Sequence, residues 1–174
     1  LRNLTLWVLL LAMFWAAWRF SDIIEVQTPV VSAGQKIIVL DGDSFNVGIK
    51  KFRLDGIDAP EFNQACKDAK SISWECGKAA RGALEAMLRL PGLKCSVSAQ
   101  DAYSRSIAKC AVDQIPDVGS AQVKAGMAVS HEYYGIRTYG DEEDHAIAAK
   151  RGIWAGDFTP PAEWRKSYPS RPAK

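Results

Sequence analysis

Apolar and polar positions change rhythm several times along this chain, and the changes mark out its elements. Leu4 to Trp18 is almost unbroken apolar sequence, with Arg2 before it and Arg19 after. Ser21 to Gln35 is polar, contains Pro29 and Gly34, and reads as a linker or an entering strand. Ile37 to Leu40 is a short aliphatic, largely β-branched run, the mark of a buried strand. Ser44 to Val47 alternates, placing Phe45 and Val47 on one face. Gly48 and the Lys50-Lys51 pair mark a turn, and Phe52 to Ile57 alternates again, with Phe52 and Leu54 on one face and Arg53 opposite. Strand, turn, strand follows from that pattern.

Glu61 to Glu75 is polar without a clear period, as an exposed loop would be. From Gly77 to Leu90, apolar Ala80, Ala83, Leu84, Met87 and Leu88 recur at three and four, which predicts an amphipathic helix stopped by Pro91-Gly92. Leu93 to Ala99 and Ile107 to Val112 predict two further strands around the loop Gln100 to Ser106. Asp117 is placed to cap a short helix through Ala125, which Gly126 would end. Val129 to Tyr139 is aromatic and irregular. Asp141 to Lys150 begins with acids and ends with Lys150-Arg151, matching a helix dipole. Trp154, Phe158 and Trp164 follow among prolines and are expected to pack back on the body as core. Five short strands with helices inserted and appended predict an α+β fold: a five-stranded OB-type β-barrel with about three helices, preceded by an N-terminal hydrophobic helix.

The expected organisation is a hydrophobic signal anchor or signal peptide over 1–20, a linker over 21–35, an OB-fold domain over 36–165 and a tail over 166–174. The apolar run is short of the roughly 20 residues that span a bilayer, although Trp15, Trp18 and Arg19 could extend it as interface anchors. An uncleaved anchor, a cleaved secretory signal and a buried helix all fit it; the first two export the domain, to the periplasm or beyond. Arg2 and Arg19 account for the whole formal net charge of +2, and the rest of the chain carries 20 basic and 20 acidic residues. That balance is weak support for a nucleic-acid binder, which usually shows a basic excess.

Four cysteines, Cys66, Cys76, Cys95 and Cys110, follow the apolar segment. An even count in an exported chain suggests two disulfides. Four reduced thiols or a zinc site are the alternatives, and the lack of any Cys-x-x-Cys spacing argues against zinc. Cys95 and Cys110 sit at similar distances from one hairpin turn, and Cys66 and Cys76 bracket most of one loop, so the pairs expected are Cys66–Cys76 and Cys95–Cys110.

The candidate chemistry lies where two apolar runs end in carboxylates. Asp43 closes the first, Asp58 and Glu61 close the second, and Arg53 stands between. Hard oxygen donors converging from neighbouring strands suit a divalent cation such as calcium. A guanidinium beside that charge suits a phosphate ester. The pattern predicts a metal-dependent phosphodiesterase site. Asp41 fits an ordinary turn residue, and neither His131 nor His145 carries an assigned role.

Asp-Gly-Asp-Ser at 41–44, Arg-Leu-Asp-Gly-Ile-Asp-Ala-Pro-Glu at 53–61 and Tyr-Ser-Arg at 103–105, in that order, resemble the thermonuclease (staphylococcal nuclease-like) family, in particular its exported bacterial members with four cysteines. The likeness continues through Trp74–Gly77, Val123–Ala128, Arg151–Trp154 and Glu163–Arg165. It implies an OB-fold barrel with helices and a calcium-dependent nuclease acting on DNA and RNA. Residue by residue, it implies that Asp43 and Asp58 are calcium carboxylates and that Ala59 offers a backbone carbonyl. It makes Glu61 the general base, and places Arg53 and Arg105 on the scissile phosphate and Tyr103 against the nucleotide. Tyr133 or Tyr134 would supply a stacking platform. Nucleic acid is the expected partner, with the membrane a second one if the N-terminal segment is uncleaved; no obligate protein partner is inferred.

This sequence departs from the pattern at Ala102, where a basic residue is usual, at Ser104, where glycine is usual, and at acidic Glu132. A serine at a position needing positive φ is strained. Those departures and the zero net charge of the domain support a second class: a non-catalytic extracytoplasmic OB module that binds a polymer, as in exopolysaccharide biosynthesis or export.

Overall fold

A computed structural model describes residues 7, 11–15 and 34–168. Most of the expected N-terminal helix and residues 21–33 of the expected 21–35 linker lie outside the described residues; Trp7 and residues 11–15 are helical and exposed. No helix among the described residues is long and apolar enough to cross a membrane.

The body is built on a mixed five-stranded sheet. Its strands are β1 (Ile37–Val39), β2 (Ser44–Val47), β3 (Lys50–Leu54), β7 (Lys94–Gln100) and β8 (Ser106–Ala111), in the order β1-β2-β3-β8-β7. β1, β2 and β3 form an antiparallel meander, β3 and β8 run parallel, and β8 returns antiparallel to β7. The parallel junction needs a long crossover, which the chain supplies with α1 (Cys76–Leu88) and β7. Alternation decides what each strand buries. Phe52 and Leu54 of β3 enter the core while Arg53 between them faces the other way. Phe45 lies opposite Phe52 in register, with ring centroids 5.3 Å apart. Buried Ala80, Leu84 and Leu88 of α1 recur every four residues, and Leu84 and Leu88 pack on this sheet.

Five strands are present as expected for the OB-type barrel, but no closed barrel forms among the described residues: β1 and β7 are the two edges of the sheet. β1 is only three residues long and packs against α1. After Gly56 the chain turns into β4 (Ile57–Asp58), which leaves the main sheet to pair with β9 (Val129–Ser130). Two hairpins interrupt segments expected to be irregular, β5 (Cys66–Lys67) with β6 (Ser73–Trp74), and β10 (Glu132–Tyr133) with β11 (Ile136–Arg137). α2 (Val118–Lys124) is capped by Asp117, whose carboxylate accepts the Ser120 N–H at 3.1 Å. α3 (Gly140–Ala148), a 3-10 turn at Gly152–Ala155 and α4 (Pro161–Ser167) follow, one helix more than expected in the described domain.

Both expected disulfides are present, Cys66–Cys76 and Cys95–Cys110, and Cys95 faces Cys110 directly in the β7–β8 register. The first belongs to a small second cluster with buried Ile153. Trp154 and Phe158 cover that cluster edge to face, with centroids 5.0 Å apart. They are half-buried, not central core, and Trp164 stacks on Tyr168 of its own segment.

Candidate active site

A tight turn carries Asp43. The Asp43 N–H donates to the Asp41 carboxylate at 3.1 Å, and Leu40 N–H donates to the Ser44 carbonyl at 2.9 Å. Asp41 is therefore the turn residue its position suggests. The Asp43 carbonyl accepts the Leu54 N–H at 2.8 Å, tying this turn to the end of β3. Gly42 sits under it, where a Cβ would lie 2.6 Å from that of Ala59 and 2.7 Å from that of Ala80. Gln122 of α2 holds the same turn from below, donating to the Gly42 and Ala80 carbonyls at 2.7 and 3.1 Å.

Arg53 stands opposite Ser44 in register and reaches both carboxylates. Its Nη1 donates to Asp43 Oδ1 at 2.9 Å and its Nη2 to Asp58 Oδ1 at 2.8 Å. Asp43 also accepts Ser44 Oγ–H at 2.7 Å and the Ala59 backbone N–H at 3.2 Å. Asp58 reaches this point because Gly56 adopts φ +77° and sends β4 back towards the Asp43 turn. Glu61 follows on a loop pinned by two residues that sequence reasoning missed. The buried Gln64 side chain accepts the Glu61 N–H at 3.2 Å and donates to the Thr159 carbonyl at 2.6 Å. Gly77 lets α1 approach the loop so closely that a Cβ there would fall on the Glu61 carbonyl oxygen.

Arg105 comes from the β7–β8 hairpin. Its Nε donates to Asp101 Oδ2 at 2.7 Å, its Nη1 approaches Ser44 Oγ at 3.5 Å, and its guanidinium lies 5.5 Å from the Tyr103 ring centroid. Although desolvation pushes the other way, the Arg105 and Tyr103 donors hold the Asp101 carboxyl below its ordinary range. Ser104 does adopt φ +59°, as anticipated for a position that usually holds glycine. Even so, Arg105 lines the same cleft as Arg53. Ser104→Gly is expected to stabilise the domain by about 1 kcal/mol, read by urea denaturation, with Arg105 left in place.

Arg53, Glu61 and Arg105 line a cleft of about 510 Å³, while Asp43 and Asp58 stay buried and bonded to Arg53. Lys51, Arg53, Arg105 and Arg165 line it against Asp41 and Glu61, with Tyr103 alongside. Lys51 and Arg165 were not anticipated. Lys51 lies two residues before Arg53 on β3 and shares its face. Arg165, on α4, donates to both oxygens of Asp58 and to Glu61 Oε1, each at 2.9 Å. Tyr133 lies elsewhere, in a second groove on the other side of Arg53, and Tyr134 is fully exposed at the hairpin turn with φ +50°.

Burial pushes the Asp43 carboxyl up to about 7, against the pull of Arg53 and with some help from Asp41. Its ordinary value is 3.8, so the folded chain holds this proton more tightly than the unfolded chain. The stability this contributes is complete below 3.8 and is lost as pH rises through about 7. In metal-free buffer, wild type should therefore lose stability across that window, and Asp43→Asn should lack the step; urea midpoints for both proteins across the window check it.

These donors suit a hard divalent ion in kind: two acidic side chains, one of them fully buried with its pKa forced upwards, next to the backbone of Ala59. In the described conformation, both Asp58 oxygens are engaged by arginine, and no group of three or more His, Cys, Asp or Glu among the described residues is arranged to hold a metal.

The staphylococcal nuclease homologue family model matches residues 51–156, and the chain belongs to that family. The match takes in Arg53, Asp58, Glu61 and Arg105 and stops short of Asp43 and Arg165. Among curated proteins, the chain is similar to the succinoglycan biosynthesis protein ExoI of Rhizobium meliloti (strain 1021), with 29% identity over 117 residues, or 67% of this chain. The aligned region spans 61% of that relative's length.

Proposed function

We propose that this chain is a calcium-dependent nuclease that hydrolyses phosphodiester bonds of DNA or RNA outside the cytoplasm. The observation that carries the reading is a cleft lined by Glu61, Arg53 and Arg105, with the buried Asp43 and Asp58 both hydrogen-bonded to Arg53. Membership of the nuclease homologue family supports it. Two disulfides support an oxidising compartment.

Asp43, Asp58 and the Ala59 carbonyl would hold the ion. When bound, it neutralises phosphate oxygens and lowers the cost of generating a nucleophilic water. Glu61 takes the proton from that water. Arg53 and Arg105 donate to the phosphoryl oxygens as charge builds there, in a cleft where donors are already aimed. Tyr103, 76% exposed beside Arg105, offers a ring face to the nucleotide. Tyr133 and Tyr134 remain proposed stacking residues for the part of the strand beyond the cleft. Arg105→Ala is expected to reduce turnover roughly 10²-fold with an unchanged fold; wild-type turnover in a DNA hydrolysis assay would remove Arg105 from the mechanism.

A second reading is a non-catalytic module binding a polymer during exopolysaccharide assembly. The Rhizobium relative, a succinoglycan biosynthesis protein, favours it. So does the arginine pairing of both Asp58 oxygens. Plasmid nicking with and without calcium separates the two: nicking that needs calcium supports the nuclease, and none under either condition supports the binding module.

A further inference from the structure

Arg165 and Arg53 both contact Asp58, but they are held in different ways. Arg53 projects from a central strand, its side chain is 20% exposed, and it spans Asp43 and Asp58. Arg165 sits on a seven-residue helix near the end of the described chain, and its side chain is 41% exposed. Among the described residues, the hydrogen bonds that tie α4 to the body all come from the Arg165 guanidinium. Ser167 bonds only to the Glu163 carbonyl within the helix, and Trp164 stacks on Tyr168 next to it. Pro161, at the start of α4, is its one buried residue.

We infer that Arg165 is an internal cation that a divalent ion must displace from Asp58 and Glu61, so that ion binding releases α4 from the body. The inference rests on the proposed metal-dependent reading and adds to it a residue and a motion. Two facts favour the exchange. Calcium binds carboxylate oxygens directly, at roughly 2.3–2.6 Å, and Asp58 Oδ1 already accepts from both Arg53 and Arg165 while Oδ2 accepts from Arg165. Two cations on one carboxylate also repel each other. Arg53 bridges Asp43 and Asp58, and Arg165 bridges Asp58 and Glu61. The Arg165 pairing thus lets the carboxylates fold together without an ion, and that same pairing weakens the ion's hold. Arg53 is too deeply placed to leave, so α4 is the element that gives way.

Calcium titrated by calorimetry into the full chain, without substrate, tests this. Arg165→Gln should bind calcium about tenfold more tightly than wild type, the equivalent of one well-made charge-assisted pair. Arg165→Lys, a point charge that cannot fork across Asp58, should fall between them. Hydrogen exchange gives a second readout: calcium should speed exchange of the α4 amides in wild type and leave the already fast exchange of Arg165→Gln unchanged. Equal or weaker calcium binding by Arg165→Gln, or α4 amides that stay protected in calcium-loaded wild type, would overturn the inference and leave the metal site standing. No calcium binding by either protein would overturn the metal-dependent reading, and the inference with it.

Discussion

Arg53→Ala is expected to lower the rate of phosphodiester hydrolysis roughly 10²–10³-fold and to destabilise the fold by about 3–5 kcal/mol. Both effects have one cause. Arg53 is the only side chain that touches both Asp43 and Asp58 among the described residues, and Asp43 is fully buried. Without the guanidinium, Asp43 keeps only the Ser44 hydroxyl and the Ala59 N–H as donors. The desolvated Asp43 carboxyl, raised to about 7 even with Arg53 in place, is then left beside Asp58 without its cation. A bound divalent ion supplies the missing charge, so the loss of stability should shrink in calcium while the loss of rate persists. Arg53→Lys should recover much of the stability and little of the rate, because an ammonium cannot bridge two carboxylates and a phosphate in one plane. Urea denaturation and single-turnover hydrolysis of the three proteins, with and without calcium, read these effects. Wild-type rates in Arg53→Ala would remove Arg53 from the chemistry.

Glu61→Gln is expected to slow hydrolysis by roughly 10²–10⁴-fold, the range of a positioned general base, while calcium binding and stability stay close to wild type. Among the described residues, the Glu61 carboxylate lines the cleft and bonds only to Arg165, whereas its backbone is held independently by Gln64. An amide can keep the shape of the loop but cannot accept the water's proton. Calorimetry alongside the rate assay separates the roles: lost rate with retained binding marks a base, and lost binding marks a ligand. Unchanged hydrolysis would remove Glu61 as base.

Much of this architecture was legible because it depends on neighbours along the chain. Alternation at Phe52, Arg53 and Leu54 gave the inward and outward faces of β3, and the near-symmetric placement of Cys95 and Cys110 about one turn gave their bond. The cluster of Asp43, Arg53 and Asp58 was legible for the same reason, since Arg53 lies ten and five residues from its two partners. What stayed hidden spans long stretches of chain. Gln122 is 80 residues from Gly42, Gln64 is 95 from Thr159, and Arg165 is 104 from Glu61. No periodicity marks such a pair. The small hairpins at β5–β6 and β10–β11 have two residues per strand, too few for alternation to show. Whether the five strands close was hidden for a related reason: strand count follows from pattern, but closure depends on how the two edges meet. Lys51, among the missed cleft residues, had a local signal, two positions from Arg53 on the same face.

The most direct measurement is hydrolysis of single-stranded DNA by the purified chain, followed in calcium and then in excess chelator. Hydrolysis in calcium that stops on chelation and returns when calcium is restored is the expected result. Intact DNA after prolonged incubation in calcium, from protein shown to be folded with both disulfides formed, would contradict the account.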